Sequence, residues 1–223
     1  MAFEGLRGKL LGAIDGVRWI PKVGLARISS MVEGRPDWCL SRQRVWGTPI
    51  TILFCVACHE PLKSDPALEA IEEKVERDGS DFWFQDMHKE VSAADWDFLP
   101  KDIHCAKCRG QAFRRETDIL DVWMDSGASW LGVEPKGTEP ADLYLEGSDQ
   151  HRGWFQSSLV LSVALRERAP HRTVLTHGFV LDEHGRAMHK SAGNVVAPQE
   201  VIKKLGADVL RLWVALSDTS DED

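Results

Sequence analysis

Apolar positions in the first third of the chain recur at helical spacing. Phe3, Leu6, Leu10, Ile14 and Val17 share one face of a predicted helix, and a second amphipathic segment covers Ala26 to Glu33. The apolar run ITILF then leads straight into Cys55. The stretch SDPALEAIEEKVERDG predicts a helix with punctuation at both ends. Ser64 or Asp65 can cap it, Pro66 suits its first turn, acids come early and Gly79 follows its end. Farther on the pattern alternates. ADLYLE predicts a strand, RGWFQSSLVLSVALRERA a helix, and RTVLTHGFVL a strand or strand pair that runs on through HGFVLDE. PQEVIKKLG and DVLRLWVAL predict two helices, and the C-terminal SDTSDED reads as a frayed polar tail.

Strand, helix and strand at this spacing form a βαβ unit with a right-handed crossover and parallel strands. The expected fold is therefore α/β. The expected domains are a connecting segment over 1–50, a small module with an inserted helix over 51–112, and the nucleotide-binding type of sheet over 113–223. Ligands of such sheets bind beyond the carboxyl ends of the strands. That rule selects two stretches, Glu146 through Gln150 and Thr176 through Gly178.

Charge narrows the choice of partner. The chain has 27 Lys and Arg against 35 Asp and Glu, a net charge of -8, which argues against non-specific nucleic-acid coating but not against a local basic site. No apolar run reaches the roughly 18 residues of a membrane span. The first residues are interrupted by charges and lack a cleavage site, so a signal peptide is not expected and the expected compartment is the cytoplasm. Four of the five cysteines form two CxxC pairs, Cys55 with Cys58 and Cys105 with Cys108. Two-residue spacing lets both thiolates of a pair reach one ion, and two pairs complete a tetrahedral Zn2+ site. With all four positions filled by protein the ion would be structural. The competing reading is two pairs of reduced or redox-active thiols. Cys39, between Trp38 and Leu40, is expected to be a packed free thiol.

DLYLEGSDQHRGWF is the stretch richest in chemistry. Glu146, Asp149 and Gln150 offer acceptors and an amide suited to ribose hydroxyls or an ammonium group. Gly147 would let a ligand approach the backbone. In the plainer reading this is a strand-to-helix turn that Ser148 or Asp149 caps. In DVWMDSG, Trp123 and the Asp125–Ser126–Gly127 turn could wall a pocket, although packing into a core is the default for such an indole. His177 could contact an adenine or phosphate, or simply close a turn. In GRAMHKSAGN, Lys190 with Ser191 and Gly193 could hold a phosphate, and a solvated loop is the competing reading.

Taken in order, RPDWCLSRQRVWGTPI, DVWMDSG, DLYLEGSDQHRGWF and HGFVLDEHGRAMHKSAGNVVAPQEVIKKLGADVLRLW resemble class I isoleucyl-tRNA synthetases, from about residue 18 to about residue 218. The valyl and leucyl relatives share the general plan, and EGSDQHRGWFQSS looks like the isoleucine branch. The resemblance implies half of a Rossmann-type parallel sheet with an inserted zinc-binding module. It implies ATP with Mg2+, isoleucine and tRNA(Ile) as partners, and formation of an aminoacyl adenylate that then esterifies the tRNA. It places Glu146 on the aminoacyl adenylate, with Gly147, Asp149 and Gln150 framing the ribose and amino group. Trp123 and Trp154 would wall the isoleucine side chain, and His177 and Gly178 would lie near the adenine. Residues 187–191 fall where the family carries its mobile KMSKS loop, so Met188, Lys190 and Ser191 would meet the ATP, with Lys190 as the catalytic cation.

The departures from that family are specific. No HIGH tetrapeptide occurs, and the editing and anticodon-binding regions have no counterpart. The resemblance thus implies the second half of a catalytic domain, expected to be inactive or weak alone, with its other half supplied by a missing N-terminal region or a complementary chain. A half sheet leaves an open strand edge, which favours pairing or aggregation. In the signature loop Ala187 stands where the family has its first lysine and His189 where it has a serine. A histidine of ordinary pKa is mostly neutral at pH 7 and does not restore that charge. Three readings follow: part of an isoleucine-activating synthetase, a non-catalytic binding module of that lineage, or the same plan serving valine or leucine.

Overall fold

A computed structural model describes residues 5–85, 90–92, 95–133 and 140–217. Phe3 and the acidic tail beyond residue 217 lie outside the described residues. The chain forms two compact units: residues 1–37 with 126–223, and residues 38–125 between them in sequence.

The first unit is built on a parallel sheet. β1 (Arg18–Ile20), β7 (Tyr144–Gly147) and β8 (Thr173–His177) lie in the order β1-β8-β7. The register pairs Trp19 with Val174 on one side of β8, and Glu146 with Thr176 and Gly147 with His177 on the other. α4 (Val122–Val133), which takes up the expected Asp125–Ser126–Gly127 turn, is one element that the hydrophobic pattern did not predict; β1 is another. Three residues are too few for a periodic signal, and their hydrogen-bond partners lie far away in sequence.

α5 (Trp154–Arg166) is the crossover from β7 to β8. Its Trp154, Phe155, Leu159 and Val163 pack with Leu10 and Ile14 of α1 (Leu6–Asp15), Ile28 and Val32 of α2 (Val23–Glu33), and Val174. Polar residues of α5 are buried too. Ser157, Ser158 and Ser162 satisfy their hydroxyls by donating to the carbonyls of Gly153, Phe155 and Arg168. α4 (Val122–Val133) approaches α5 closely: a Cβ on Gly127 would lie 2.8 Å from the Ser157 carbonyl carbon.

β8 ends at His177, so the strand expected through HGFVLDE does not form. Beyond it, among the described residues, only Leu181 and Ala187 bridge. The reason is Asp182, whose Oδ1 accepts the amides of His184 and Arg186 and folds the chain back at Gly185, where φ is +73°. α6 (Pro198–Leu205) and α7 (Ala207–Leu216) form as the pattern predicts.

The second unit holds β3 (Leu53–Cys55), β4 (Val91–Ser92) and β5 (Ala112–Arg115) in an antiparallel sheet, order β3-β5-β4. α3 (Asp65–Asp78) buries Ala67 and Ile71 against a core that includes Leu53, Phe82, Trp83, Trp96, Leu99 and Phe113. Its ends differ from expectation in one respect. Ser64 sits at the N-cap and Pro66 in the first turn, but neither Ser64 nor Asp65 caps the helix with its side chain. β2 (Ser41–Arg42) pairs antiparallel with β6 (Ile119–Leu120). This pairing draws segments on both sides of 51–112 into the unit.

Core packing has a titratable cost at His171. His171 is 2 % exposed and ringed by Trp19, Tyr144, Trp154 and Phe155 at centroid distances of 5.8–6.4 Å. Burial pushes its pKa down from 6.5 to about 4. The unfolded chain therefore takes up a proton first as pH falls, and the folded unit loses stability between pH 6.5 and 4. The loss should be at most about 3 kcal/mol. Chemical denaturation of His171→Phe across that window should give a visibly flatter pH profile than the parent chain.

Candidate functional site

Two knuckles build the cysteine cluster, and they repeat one backbone design. The amide of Cys55 donates to the carbonyl of Glu60 at 2.9 Å, and that of Cys105 to Gly110 at 2.8 Å. Each knuckle is closed by a return bond at 2.9 Å, from His59 to Cys55 and from Arg109 to Cys105. His59 and Arg109 both take the left-handed conformation, at φ 58° and 64°. Each turn thus presents its two thiols to the same point. The four sulfurs lie within 4.8 Å of one another, with Cys55–Cys108 and Cys58–Cys105 at 3.5 Å.

Zn–S bonds of about 2.3 Å in a tetrahedron set S···S separations of about 3.8 Å. A disulfide needs about 2.05 Å. The cluster can hold a metal ion, and the two pairs are not disulfides. The thiols differ before any metal is considered. Backbone N–H donors at Cys108 and Lys107 draw Cys105 down to about 7. At Cys58 the Glu60 backbone favours the thiolate, yet burial and the three neighbouring thiols outweigh it and push the pKa up to about 12. Cys39 lies apart from this set. It is exposed rather than packed, and hydrogen bonding to Ser41 lowers its pKa.

The same unit contains a buried carboxylate that the sequence reading passed over. Asp121 is 6 % exposed; it accepts Trp38 Nε1 at 3.0 Å and Arg42 Nη2 at 2.5 Å. Its Oδ1 also accepts the Trp123 amide at 3.1 Å, which places Trp123 in the first turn of α4. An Asp just before an apolar helical run is the signal that could have found it. Trp123 itself is 41 % exposed, so core packing does not account for its indole.

In the first unit, the ends of β7 and β8 bring most of the sequence-selected polar residues together. Glu146 stands beside Thr176 and Gly147 beside His177. A Cβ on Gly147 would lie 2.6 Å from Asp149 Oδ1 and 3.8 Å from His177 Cε1. The missing side chain is thus needed for the Asp149 carboxylate to fold back over the strand end. Asp149 Oδ2 accepts Gln150 Nε2 at 3.2 Å, while Gln150 Oε1 accepts the Trp154 amide at 2.9 Å. Gln150, not Ser148 or Asp149, is the side chain that ties the turn to α5. His177 Nδ1 lies 2.8 Å from the Gly178 carbonyl oxygen.

Trp154 opens α5 directly after this turn. It is 7 % exposed, stacks on Tyr144 at 3.9 Å, and donates its Nε1 to Ser126 O and Ser129 Oγ. Burial, followed by the Glu146 charge, raises the Tyr144 pKa.

The loop after β8 holds Lys190 and Ser191 in an exposed 3-10 turn, Lys190–Ala192, which Gly193 ends at φ 68°. Met188 Sδ accepts the Val196 amide at 3.3 Å. Asp182 and Asn194 were not selected from the sequence, yet they organise this loop. The Asn194 side chain, then the Arg186 backbone, holds the Asp182 pKa down at about 2. The short Asp-x-x-Gly turn spacing could have marked Asp182. Nothing local marks Asn194.

Residues 1–223 match the family described as tRNA synthetases class I (I, L, M and V). The isoleucine--tRNA ligase of Sulfurihydrogenibium sp. (strain YO3AOP1) is 54% identical over 226 residues, covering 98% of this chain and 23% of the relative. That of Syntrophotalea carbinolica is 52% identical over 225 residues, covering 100% and 24%, and that of Aquifex aeolicus 52% over 220 residues, covering 97% and 22%. The chain therefore spans about a quarter of the length of these relatives. Among solved structures, the LeuRS of Agrobacterium radiobacter K84 in its ternary complex with tRNA and LeuAMS is similar in fold, with a TM-score of 0.56 at 24% identity, covering 85% of this chain and 26% of that one. Methionyl-tRNA synthetase of Mycobacterium tuberculosis bound by methionyl-adenylate gives a TM-score of 0.52 at 19% identity, covering 93% and 31%. No helix among the described residues is long and apolar enough to cross a membrane.

The cysteine geometry makes a direct prediction. The purified chain should carry about one zinc ion. Cys58→Ser or a strong chelator should remove it and lower the melting temperature of the cysteine-bearing unit, read by metal analysis and thermal unfolding. A metal-free chain that melts as the untreated one does would exclude a structural zinc.

Proposed function

Because this chain belongs to the class I tRNA synthetases of the isoleucine, leucine, methionine and valine group, we propose that it supplies the adenylate-binding half of a catalytic domain that activates isoleucine with ATP and transfers it to tRNA(Ile). The observation that carries the reading is the pair of parallel strand ends. Glu146 pairs with Thr176 and Gly147 with His177 there, with the Asp149 carboxylate folded over Gly147, on the edge where such sheets bind nucleotides. Identity of 50% or more to isoleucine--tRNA ligases favours isoleucine over valine or leucine.

In this reading the carboxylate of isoleucine attacks the α-phosphate of ATP and pyrophosphate leaves. No covalent enzyme intermediate is needed, so the residues act by position and charge. Glu146 and Asp149 accept hydrogen bonds from the ammonium and ribose hydroxyls of the adenylate. Gln150 fixes the Asp149 carboxylate and the start of α5 at once. Trp154, immobilised by its stack and its two Nε1 contacts, gives the isoleucine side chain a rigid apolar backing. His177 and Gly178 border the adenine. Lys190, with Met188 and Ser191 beside it, meets the triphosphate from an exposed turn. Mg2+ would arrive with the nucleotide and neutralise part of its charge. Cys55, Cys58, Cys105 and Cys108 would hold Zn2+ as a structural ion.

A second reading rests on two observations. Ala187 removes a cation from the loop, and Asp182 engages the guanidinium of Arg186. A binding module of synthetase lineage without activating power would tolerate both.

Non-hydrolysable isoleucyl-, valyl- and leucyl-adenylate analogues should raise the melting temperature in that order of preference, isoleucyl most. Equal or absent shifts would count against the isoleucine assignment. When a polypeptide bearing the HIGH motif is supplied, isoleucine-dependent pyrophosphate exchange should exceed that of either piece. Lys190→Ala should then lower it roughly 10²- to 10³-fold. Adenylate binding without any exchange would favour the second reading.

A further inference from the structure

The loop that carries Lys190 has almost no apolar burial to hold its shape. From Leu181 to Val196 only Asp182, Ala187, Met188 and Asn194 are even partly shielded. Its order comes from two polar side chains at its base. The Asp182 carboxylate is 7 % exposed although the residues after it lie in solvent. Its Oδ1 accepts the amides of His184 and Arg186, each at 2.9 Å. Its Oδ2 accepts Arg186 Nε at 3.0 Å, Arg186 Nη2 at 2.9 Å and Asn194 Nδ2 at 2.8 Å. Asn194 uses both ends of its amide. Nδ2 also reaches the Ala187 carbonyl at 3.2 Å, and Oδ1 accepts the His189 amide at 2.9 Å.

These contacts tie the chain entering the loop to the chain leaving it. They also fix the backbone at residues 187 and 189, immediately before the turn that presents Lys190. They engage the Arg186 guanidinium as well. Arg186 therefore serves the scaffold, and Lys190 is the cation the loop holds out.

We propose that Asp182 and Asn194 form a clasp that preorganises this loop, making them positioning residues for the phosphate contact of Lys190. The proposal rests on the reading of residues 187–191 as the phosphate-binding loop. A carboxylate and an amide suit the task because each accepts backbone N–H groups. The amide alone can also donate, so the pair bonds to itself while holding both sides of the loop. A preformed cradle binds its anion without first ordering the chain.

The test uses the folded 223-residue chain with inorganic pyrophosphate as probe. Amide hydrogen exchange at His184, Arg186 and His189 reads the clasp, and pyrophosphate titration reads its consequence. Asn194→Ala should speed exchange at His189 and, if the competent loop falls to about a tenth of the population, raise the pyrophosphate Kd about tenfold. Asp182→Asn should speed exchange and weaken binding in the same sense, because two amides meet and the Arg186 charge pair is lost. The double variant Asp182→Asn with Asn194→Asp, which exchanges the two groups, should recover part of both readouts. Lys190→Ala should weaken binding while leaving exchange at His189 unchanged. If the clasp variants leave exchange or affinity unaltered while Lys190→Ala weakens binding, the clasp is wrong and the phosphate reading stands. If the parent chain does not bind pyrophosphate, or Lys190→Ala binds it equally well, the phosphate reading falls and the positioning role with it.

Discussion

The parallel pairing of β7 with β8 is the constraint on which the candidate site depends. Side chains alternate across a strand, so a slip of one residue would exchange the two faces of each strand. It would carry Tyr144 and Glu146, which share a face, to the opposite side, and the ring stack on Trp154 would be lost. α5 prevents the slip. It leaves β7 through a turn tied by Gln150, buries aromatic and aliphatic residues against the core, and delivers the chain to β8 in register. The same packing that stabilises the sheet thus brings Gly147, Asp149 and His177 to one edge.

The two units solve the problem of order by different means. The first has a core of large aromatic and aliphatic side chains around α5, large enough to bury His171 with no polar partner among the described residues for either ring nitrogen. The second has short strands, and the described core includes several indole and phenyl rings over which Arg115 lays its guanidinium. Two backbone knuckles bring its four thiols close enough to share an ion. Four sulfurs this close repel as thiolates unless a cation sits among them, which is why their protonation and metal binding are one problem.

The loop after β8 uses a third means. It has neither core nor metal, only polar groups of its own. In the proposed reading this suits an element that admits and releases a charged ligand, because hydrogen bonds exposed at their margins can be exchanged for contacts with that ligand. Ala187 and His189 alter the charge the loop displays, but their backbone groups still serve the scaffold at its base.

Local chemistry determined much of this protein. CxxC spacing announced the knuckles because a metal turn is built within a few consecutive residues. α3, α5, α6 and α7 were legible because helical periodicity and punctuation are local, and the β7–α5–β8 order followed from that pattern. The strand ends were legible as a candidate site because parallel sheets of this kind bind ligands there. Tertiary structure alone decided what depends on distant partners. β1 exists because β8 accepts it, and HGFVLDE stops being a strand because Asp182 gathers amides downstream. Gln150 is engaged in capping α5, and Cys39 faces solvent. Asn194 matters because its amide reaches Asp182, twelve residues away in sequence and 2.8 Å away in space. A sequence fixes the chemistry each residue can do. Only the fold decides which groups come close enough to do it together, since hydrogen bonds, ion pairs and metal bonds all act over a few ångströms.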